Sequence, residues 1–184
     1  DWQGLSLQVR QGPEWWPEPA GGVAAVALFL LGFLLQGGTE ELVVRGYVYR
    51  NLRDRWSWAN AAALSSLLFA IGHGFNPDVT PVSIINTFLI GILFAMSVEW
   101  SGSLWLAFLL HGFWNFATGC VLSLPVSGMS AFHIFDVTVS GARTWTGGAY
   151  GPEGSLFLTL MLAPLVFLLA HRLEKRRPAH EVEE

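Results

Sequence analysis

Three polar patterns with helical spacing stand inside apolar sequence. In Thr39-Glu40-Glu41-Leu42-Val43-Val44-Arg45, Glu41 and Arg45 are four residues apart, so they share a helix face within ion-pairing reach. Glu40 lies about 100° further round the helix and faces elsewhere. One carboxylate can then be neutralised structurally while its neighbour stays free for chemistry. Phe69 and His73 repeat the spacing, and so do His111 and Asn115, whose side chains therefore point into one crevice.

Each pattern also has a plain structural reading. Interfacial Glu residues can snorkel to water, His73 can be a packing histidine, and Asn115 can be an interhelical clamp. Glu99 falls at a predicted interface and reads as a solvated charge. The joint occurrence of the three patterns, in this order and within apolar helices, carries the weight. Ionisable groups inside a membrane span are costly unless paired or solvated, which makes each of them a functional candidate.

Peptide hydrolysis needs a base to activate water, donors for the oxyanion and an acid for the leaving amine. Glu40, His73, His111 and Asn115 can supply all of these. No Gly-x-Ser-x-Gly elbow is present, and Cys120, the only cysteine, has no His partner in its own helix. Two His and one Glu are also the ligand set of hydrolytic zinc sites, so Glu40, His73 and His111 could hold zinc. With no His-Glu-x-x-His, and with Asn as donor and Glu as base, a metal-independent mechanism is favoured and zinc is kept as the alternative.

The elements that must position these residues follow from composition. Hydrophobic residues make up 52% of the 184-residue chain and charged ones 13%, the balance of a membrane protein. Five stretches of 17 or more residues lack Lys, Arg, Asp and Glu: Gly21 to Gly38, Trp56 to His73, Val79 to Val98, Trp100 to Phe132 and Gly154 to Ala170. Each is about long enough to cross ~30 Å of hydrocarbon as a helix. They are apolar all round, which argues against alternating barrel strands. The expected fold is all-α, a bundle of about five transmembrane helices.

Eight of the ten basic residues form two groups, Arg45, Arg50, Arg53 and Arg55 after the first span and Arg172, Lys175, Arg176 and Arg177 after the last. Five spans put both groups on one side, which the positive-inside rule makes cytoplasmic together with the C-terminus. Asp1 to Ala20 has no apolar h-region and so no signal peptide, and a helix preceding it would turn five spans into six. A single membrane domain is expected, with residues 1–20 extramembrane, 125–153 an external loop and 171–184 a charged cytoplasmic tail that frays. No basic, aromatic-interleaved surface points to nucleic acid.

Together, Glu40-Glu41-x-x-x-Arg45, Phe69-x-x-x-His73 and His111-x-x-x-Asn115 resemble the CAAX-protease and bacteriocin-processing family, also called the type II CAAX prenyl endopeptidase or Abi family. The flanks Arg45-Gly46-Tyr47 and Ser65-Ser66-Leu67-Leu68-Phe69 share the resemblance. It implies a helical membrane core whose cavity opens to the cytoplasm, with lateral access from the bilayer. By resemblance Glu40 activates water, His73 assists it, and His111 with Asn115 stabilises the oxyanion. Glu41 and Arg45 support the arrangement and Phe69 packs beside it. The family has been called both metalloprotease and glutamate protease.

The expected activity is that of an intramembrane endopeptidase of the plasma (inner) membrane. Its partners would be the lipid bilayer and a membrane-associated peptide or protein, prenylated CAAX-type or bacteriocin-like. The alternative is a non-catalytic scaffold or a proton-coupled transporter, since buried Glu and His also build proton relays. A relay needs a polar path through both leaflets, whereas a protease needs one closed cluster with room for a peptide. Hydropathy sets Glu40 at the cytoplasmic end of its span and His73 at the outer end of the next. A shared site therefore requires tilt, a first helix extended past Arg45, or an interfacial helix at Arg50 to Arg55.

Overall fold

The computed structural model describes residues 6–11, 19–130 and 135–176. A strand, β1 (Ser6–Gln11), precedes α1 (Pro19–Glu41), which continues through a π-helical stretch (Leu42–Tyr49) into α2 (Arg50–Arg53). Next come α3 (Trp58–His73), α4 (Pro81–Ser101) and α5 (Trp105–Asn115), and α5 runs on into a second π-helical stretch, Phe116–Val121. A connection carrying β2 (Phe135–Ser140) and α6 (Arg143–Thr146) leads to α7 (Leu156–Arg176). β1 pairs antiparallel with β2, Ser6 opposite Ser140 and Gln11 opposite Phe135.

Local chemistry sets the helix ends. The Ser57 hydroxyl accepts from the Asn60 amide at the start of α3. At the start of α4, Thr80 and Ser83 form a reciprocal capping box with Pro81 in the first turn, and α4 stops at Gly102, whose φ of 66° is left-handed.

All five apolar stretches are helical at their centres. Among the described residues, three helices are long and apolar enough to cross a membrane: Gly22–Arg53 with 32 residues, and Pro81–Ser101 and Leu156–Arg176 with 21 each. With 16 residues α3 reaches only about 24 Å, short of a full hydrocarbon core. The stretch 100–132 is not one span, because Gly102 breaks it at one end and the helix stops at Val121 at the other. Residues 171–176, expected to fray, continue α7, with the Arg176 guanidinium 3.7 Å over the Trp100 ring. The remainder of that expected tail, 177–184, lies outside the described residues, as do 1–5 and 12–18 of the N-terminal segment and 131–134 of the expected loop.

Half of the apolar window of α4 is buried inside the protein, against 17% for the first helix and 11% for α7, so α4 is the central post. Leu28, Leu31 and Leu35 on α1 and Phe157, Leu160 and Phe167 on α7 are exposed, the apolar surface of a chain that borders lipid. At the end near α2, the buried residues Tyr49, Trp58, Ala61, Phe94, Met96 and Leu173 form a continuous apolar cluster. Glu99 at this end is not a solvated charge. It is half-buried, accepting from the Tyr49 hydroxyl at 2.7 Å and pairing with Arg53 at 3.2 Å.

The continuous first helix resolves the mismatch in depth. Glu40 lies thirteen residues before the end of α2 at Arg53, and His73 fifteen residues after the start of α3 at Trp58. At ~1.5 Å per residue those are about 20 and 22 Å from the turn that joins them.

Candidate active site

The motif helices meet because α1 and α5 pack backbone to backbone. A Cβ on Gly112 would come 2.8 Å from Leu34 Cα, so glycine there permits the close approach of the helices. Across this contact His111 Nδ1–H donates to Glu41 Oε1 at 2.9 Å, and Asn115 Nδ2–H donates to Gln36 Oε1 at 2.9 Å. The Gln36 amide in turn donates to Glu40 Oε1. Both π-helical stretches begin one residue after a motif residue, at Leu42 and at Phe116. Widened turns of this kind are frequent at functional sites.

The two adjacent carboxylates have different surroundings. Glu41, fully buried, accepts from Arg45 Nη1 at 2.9 Å as well as from His111, while Arg45 Nη2 donates to the Gly91 carbonyl at 2.9 Å. The Glu40 side chain is 34% exposed, and its Oε2 lies 3.8 Å from His111 Nε2. That oxygen has no hydrogen-bond partner among the described residues. The Arg45 guanidinium lies over the Phe69 ring at 4.6 Å, and Phe94 stacks on His111 at 5.0 Å, so aromatic faces enclose the charged cluster. His73 Nδ1 is 2.9 Å from the Phe69 carbonyl. A carbonyl only accepts, so Nδ1 carries a proton, and in the neutral ring Nε2 keeps its lone pair.

Glu40, His73, His111 and Asn115 all line one cavity of about 490 Å³, together with Phe69 and Phe94. Its remaining wall comes from Leu28, Phe29, Gly32, Phe33 and Gln36 on α1, from Thr87 and Ile90 on α4, from Trp114 on α5, and from Val126, Ser127, Met129, Ser130 and Glu153 in the connection before α7. Glu41 and Arg45 lie behind this lining. Arg50, Arg53 and Arg55 do not line the cavity; they stand at the end of the bundle that carries the apolar cluster around Tyr49 and Trp58.

Gln36, Thr87, Trp114 and Glu153 are among the lining residues that the sequence patterns do not single out. Gln36 had a signal, since it precedes Glu40 by four residues on the same helix face. Glu153 had none, lying in a Gly- and Pro-rich connection without periodicity.

For a metal, the Nε2 atoms of His73 and His111 and the Oε2 atom of Glu40 are donors of suitable chemistry. As arranged, no three His, Cys, Asp or Glu side chains among the described residues form a group that could hold an ion.

No curated protein and no solved structure matches the chain. A family description, type II CAAX prenyl endopeptidase Rce1-like, matches residues 22–117, a little over half of the sequence. The matched segment contains all three motifs and ends two residues after Asn115. The chain therefore belongs to the type II CAAX prenyl endopeptidase Rce1-like family of intramembrane proteases.

Proposed function

We propose that the protein hydrolyses a peptide bond of a membrane-associated substrate by water activated at Glu40. The observation that carries this reading is the contrast between the two neighbouring carboxylates. Glu41 is fully buried behind the cavity and held through one oxygen by Arg45 and His111, whereas Glu40 lines the cavity, is 34% exposed and has no hydrogen bond to its Oε2, which lies 3.8 Å from His111 Nε2.

In this mechanism Glu40 takes a proton from water as the water oxygen bonds to the scissile carbonyl carbon. The displaced electron pair goes to the carbonyl oxygen. Asn115 spends one amide hydrogen on Gln36 and has the second for that oxyanion, and His111, whose Nε2 lies 3.8 Å from Glu40 Oε2, assists beside it. When the C–N bond breaks, Glu40 passes its proton to the leaving amine. His73, its tautomer fixed by Phe69, accepts a hydrogen bond at Nε2 and orients the water.

The apolar lining of Leu28, Phe29 and Phe33 suits a substrate that enters from lipid, and a prenylated C-terminal peptide is the class the family suggests. The two groups of basic residues argue for a cytoplasmic C-terminus.

Glu40→Gln preserves shape and removes basicity. It is expected to lower turnover by about 10²–10⁴-fold while the melting temperature in detergent stays near that of the wild type. Wild-type cleavage by this variant would exclude the mechanism.

One observation favours zinc as a second reading. Both imidazoles engage their Nδ1 atoms and keep Nε2 for another partner, the usual arrangement of metal-ligating histidines. Elemental analysis of active protein separates the two. The metal-independent reading expects full activity after chelation, and zinc at one per chain that is lost and regained with activity would replace it.

A further inference from the structure

We infer that Glu153 is a positioning residue for the substrate, holding the cavity wall opposite the motif helices at a fixed distance from the reacting groups. The inference rests on the peptidase reading of the cavity and adds the element that selects what enters it.

Glu153 is 5% exposed and touches the cavity. One oxygen, Oε1, accepts from Trp114 Nε1–H at 2.8 Å. The other, Oε2, accepts from the Ser127 amide at 2.8 Å and from the Ser127 hydroxyl at 2.6 Å. The carboxylate thus joins two walls. Trp114 immediately precedes Asn115 and follows His111 by three residues, so it belongs to the helix that presents the proposed oxyanion donors. Ser127 belongs to the turn that presents Val126, Met129 and Ser130 to the cavity.

That turn has little freedom apart from this link. Val126 and Met129 bond each other's backbones at 2.9 Å in both directions. The Ser127 carbonyl accepts from Asn76 Nδ2–H at 3.1 Å, and the Gly128 amide donates to the Tyr150 carbonyl at 3.0 Å. Ser127 has φ of 50° and Gly128 has φ of 81°, and a Cβ at Gly128 would collide with the Pro77 carbonyl. Glu153 is itself bolted down, since Asn86, fully buried on α4, donates to the carbonyls of Glu153 and Ser155 at 2.8 Å each. The Thr159 hydroxyl on α7 donates to Asn86 Oδ1 at 2.7 Å and closes the network.

An ionised carboxylate is the one side chain here that accepts three donors and offers none. Glutamine meets only part of that demand. Oriented to accept from Ser127, it turns its NH₂ against the indole N–H of Trp114. Glu153→Gln is therefore expected to loosen the wall, and Trp114→Phe, which removes the opposing N–H and keeps an aromatic ring, is expected to restore it in the double variant.

The test uses the whole protein in detergent or vesicles and a pool of farnesylated C-terminal peptides, varied at the residues flanking the scissile bond. Products are resolved by mass spectrometry, with kcat and KM measured on two members of the pool and a thermal melt for each variant. The expected result for Glu153→Gln is a change of about fivefold or more in the ratio of products and in KM, with kcat within about twofold. In Trp114→Phe/Glu153→Gln the product ratio returns toward that of Trp114→Phe alone. An unchanged product ratio in an active Glu153→Gln enzyme, with or without a lower melting temperature, reduces Glu153 to a loop anchor and overturns the inference alone. Absence of Glu40-dependent cleavage in the wild type removes the peptidase reading, and this inference with it.

Discussion

Glu41 and Glu153 are both buried within a few ångströms of one cavity, and they are stabilised in different ways. Glu41 is answered by the charge of Arg45 at 2.9 Å, one turn along its own helix, and by a hydrogen bond from His111 on α5 at 2.9 Å. Glu153 is answered by neutral dipoles, an indole N–H, a backbone N–H and a hydroxyl. The first solution fixes two helices against each other and leaves the neighbouring Glu40 free. The second fixes a turn against a helix, and a side chain that itself donates cannot replace the carboxylate without opposing one of these donors. A cation compensates a buried carboxylate from many directions, whereas hydrogen bonds to neutral groups must be aimed.

The comparison makes a quantitative claim about removing each charge. Glu41→Gln leaves Arg45 buried beside aromatic rings without its counter-ion, and breaking a buried pair in this way costs about 3–5 kcal/mol. Glu153→Gln leaves one buried donor unsatisfied, which costs about 1–3 kcal/mol. Thermal or denaturant melts of the two variants in one detergent check the order. Equal losses would show that Arg45 finds other compensation, from the Gly91 carbonyl and the faces of Phe69 and Phe94, and the distinction between the two carboxylates would fall.

The two regions also differ in how far their sequence disclosed them. Glu41 and Arg45, Phe69 and His73, and His111 and Asn115 are each one helical turn apart, so spacing alone aligns the partners once the apolar runs are read as helices. That Asn115 bonds Gln36 while His111 bonds Glu41 depends on the register of α1 against α5, which Gly112 and Leu34 set and no single-helix pattern encodes. Glu153 meets Ser127 and Trp114 across 26 and 39 residues of chain, through left-handed turn residues and short irregular pieces. No period of 2 or 3.6 links those positions. The extent of the first helix is hidden from hydropathy for another reason: its apolar run ends at Gly38, yet Arg45 is buried against Glu41 and Arg53 pairs with Glu99, so the helix carries these charges through to Arg53. The pairing of β1 with β2 left no mark in hydropathy.

A third carboxylate calibrates the scale at its low end. Glu99 receives a charge from Arg53 at 3.2 Å and a hydroxyl from Tyr49 at 2.7 Å, so it combines both kinds of compensation, but its side chain is 17% exposed and that of Arg53 is 31% exposed. Water reaches the pair and replaces lost contacts, so the ion pair itself contributes about 0.2–1 kcal/mol. The Tyr49 hydroxyl, on a residue only 1% exposed, adds about 0.5–1.5 kcal/mol. Glu99→Gln keeps an acceptor for Tyr49 and loses only the charge, so its melt is expected to shift less than that of Glu153→Gln and to approach the wild type as salt screens the pair. Glu99→Ala removes both and is expected to exceed Glu99→Gln by the Tyr49 contribution. Glu99 stands at the end of the bundle that carries the apolar cluster around Tyr49 and Trp58 and does not line the cavity, so neither variant is expected to change the product ratio or KM. A loss at Glu99→Gln as large as that at Glu41→Gln would mean that the basic end is as dry as the cavity floor, and burial could no longer account for the difference between these carboxylates.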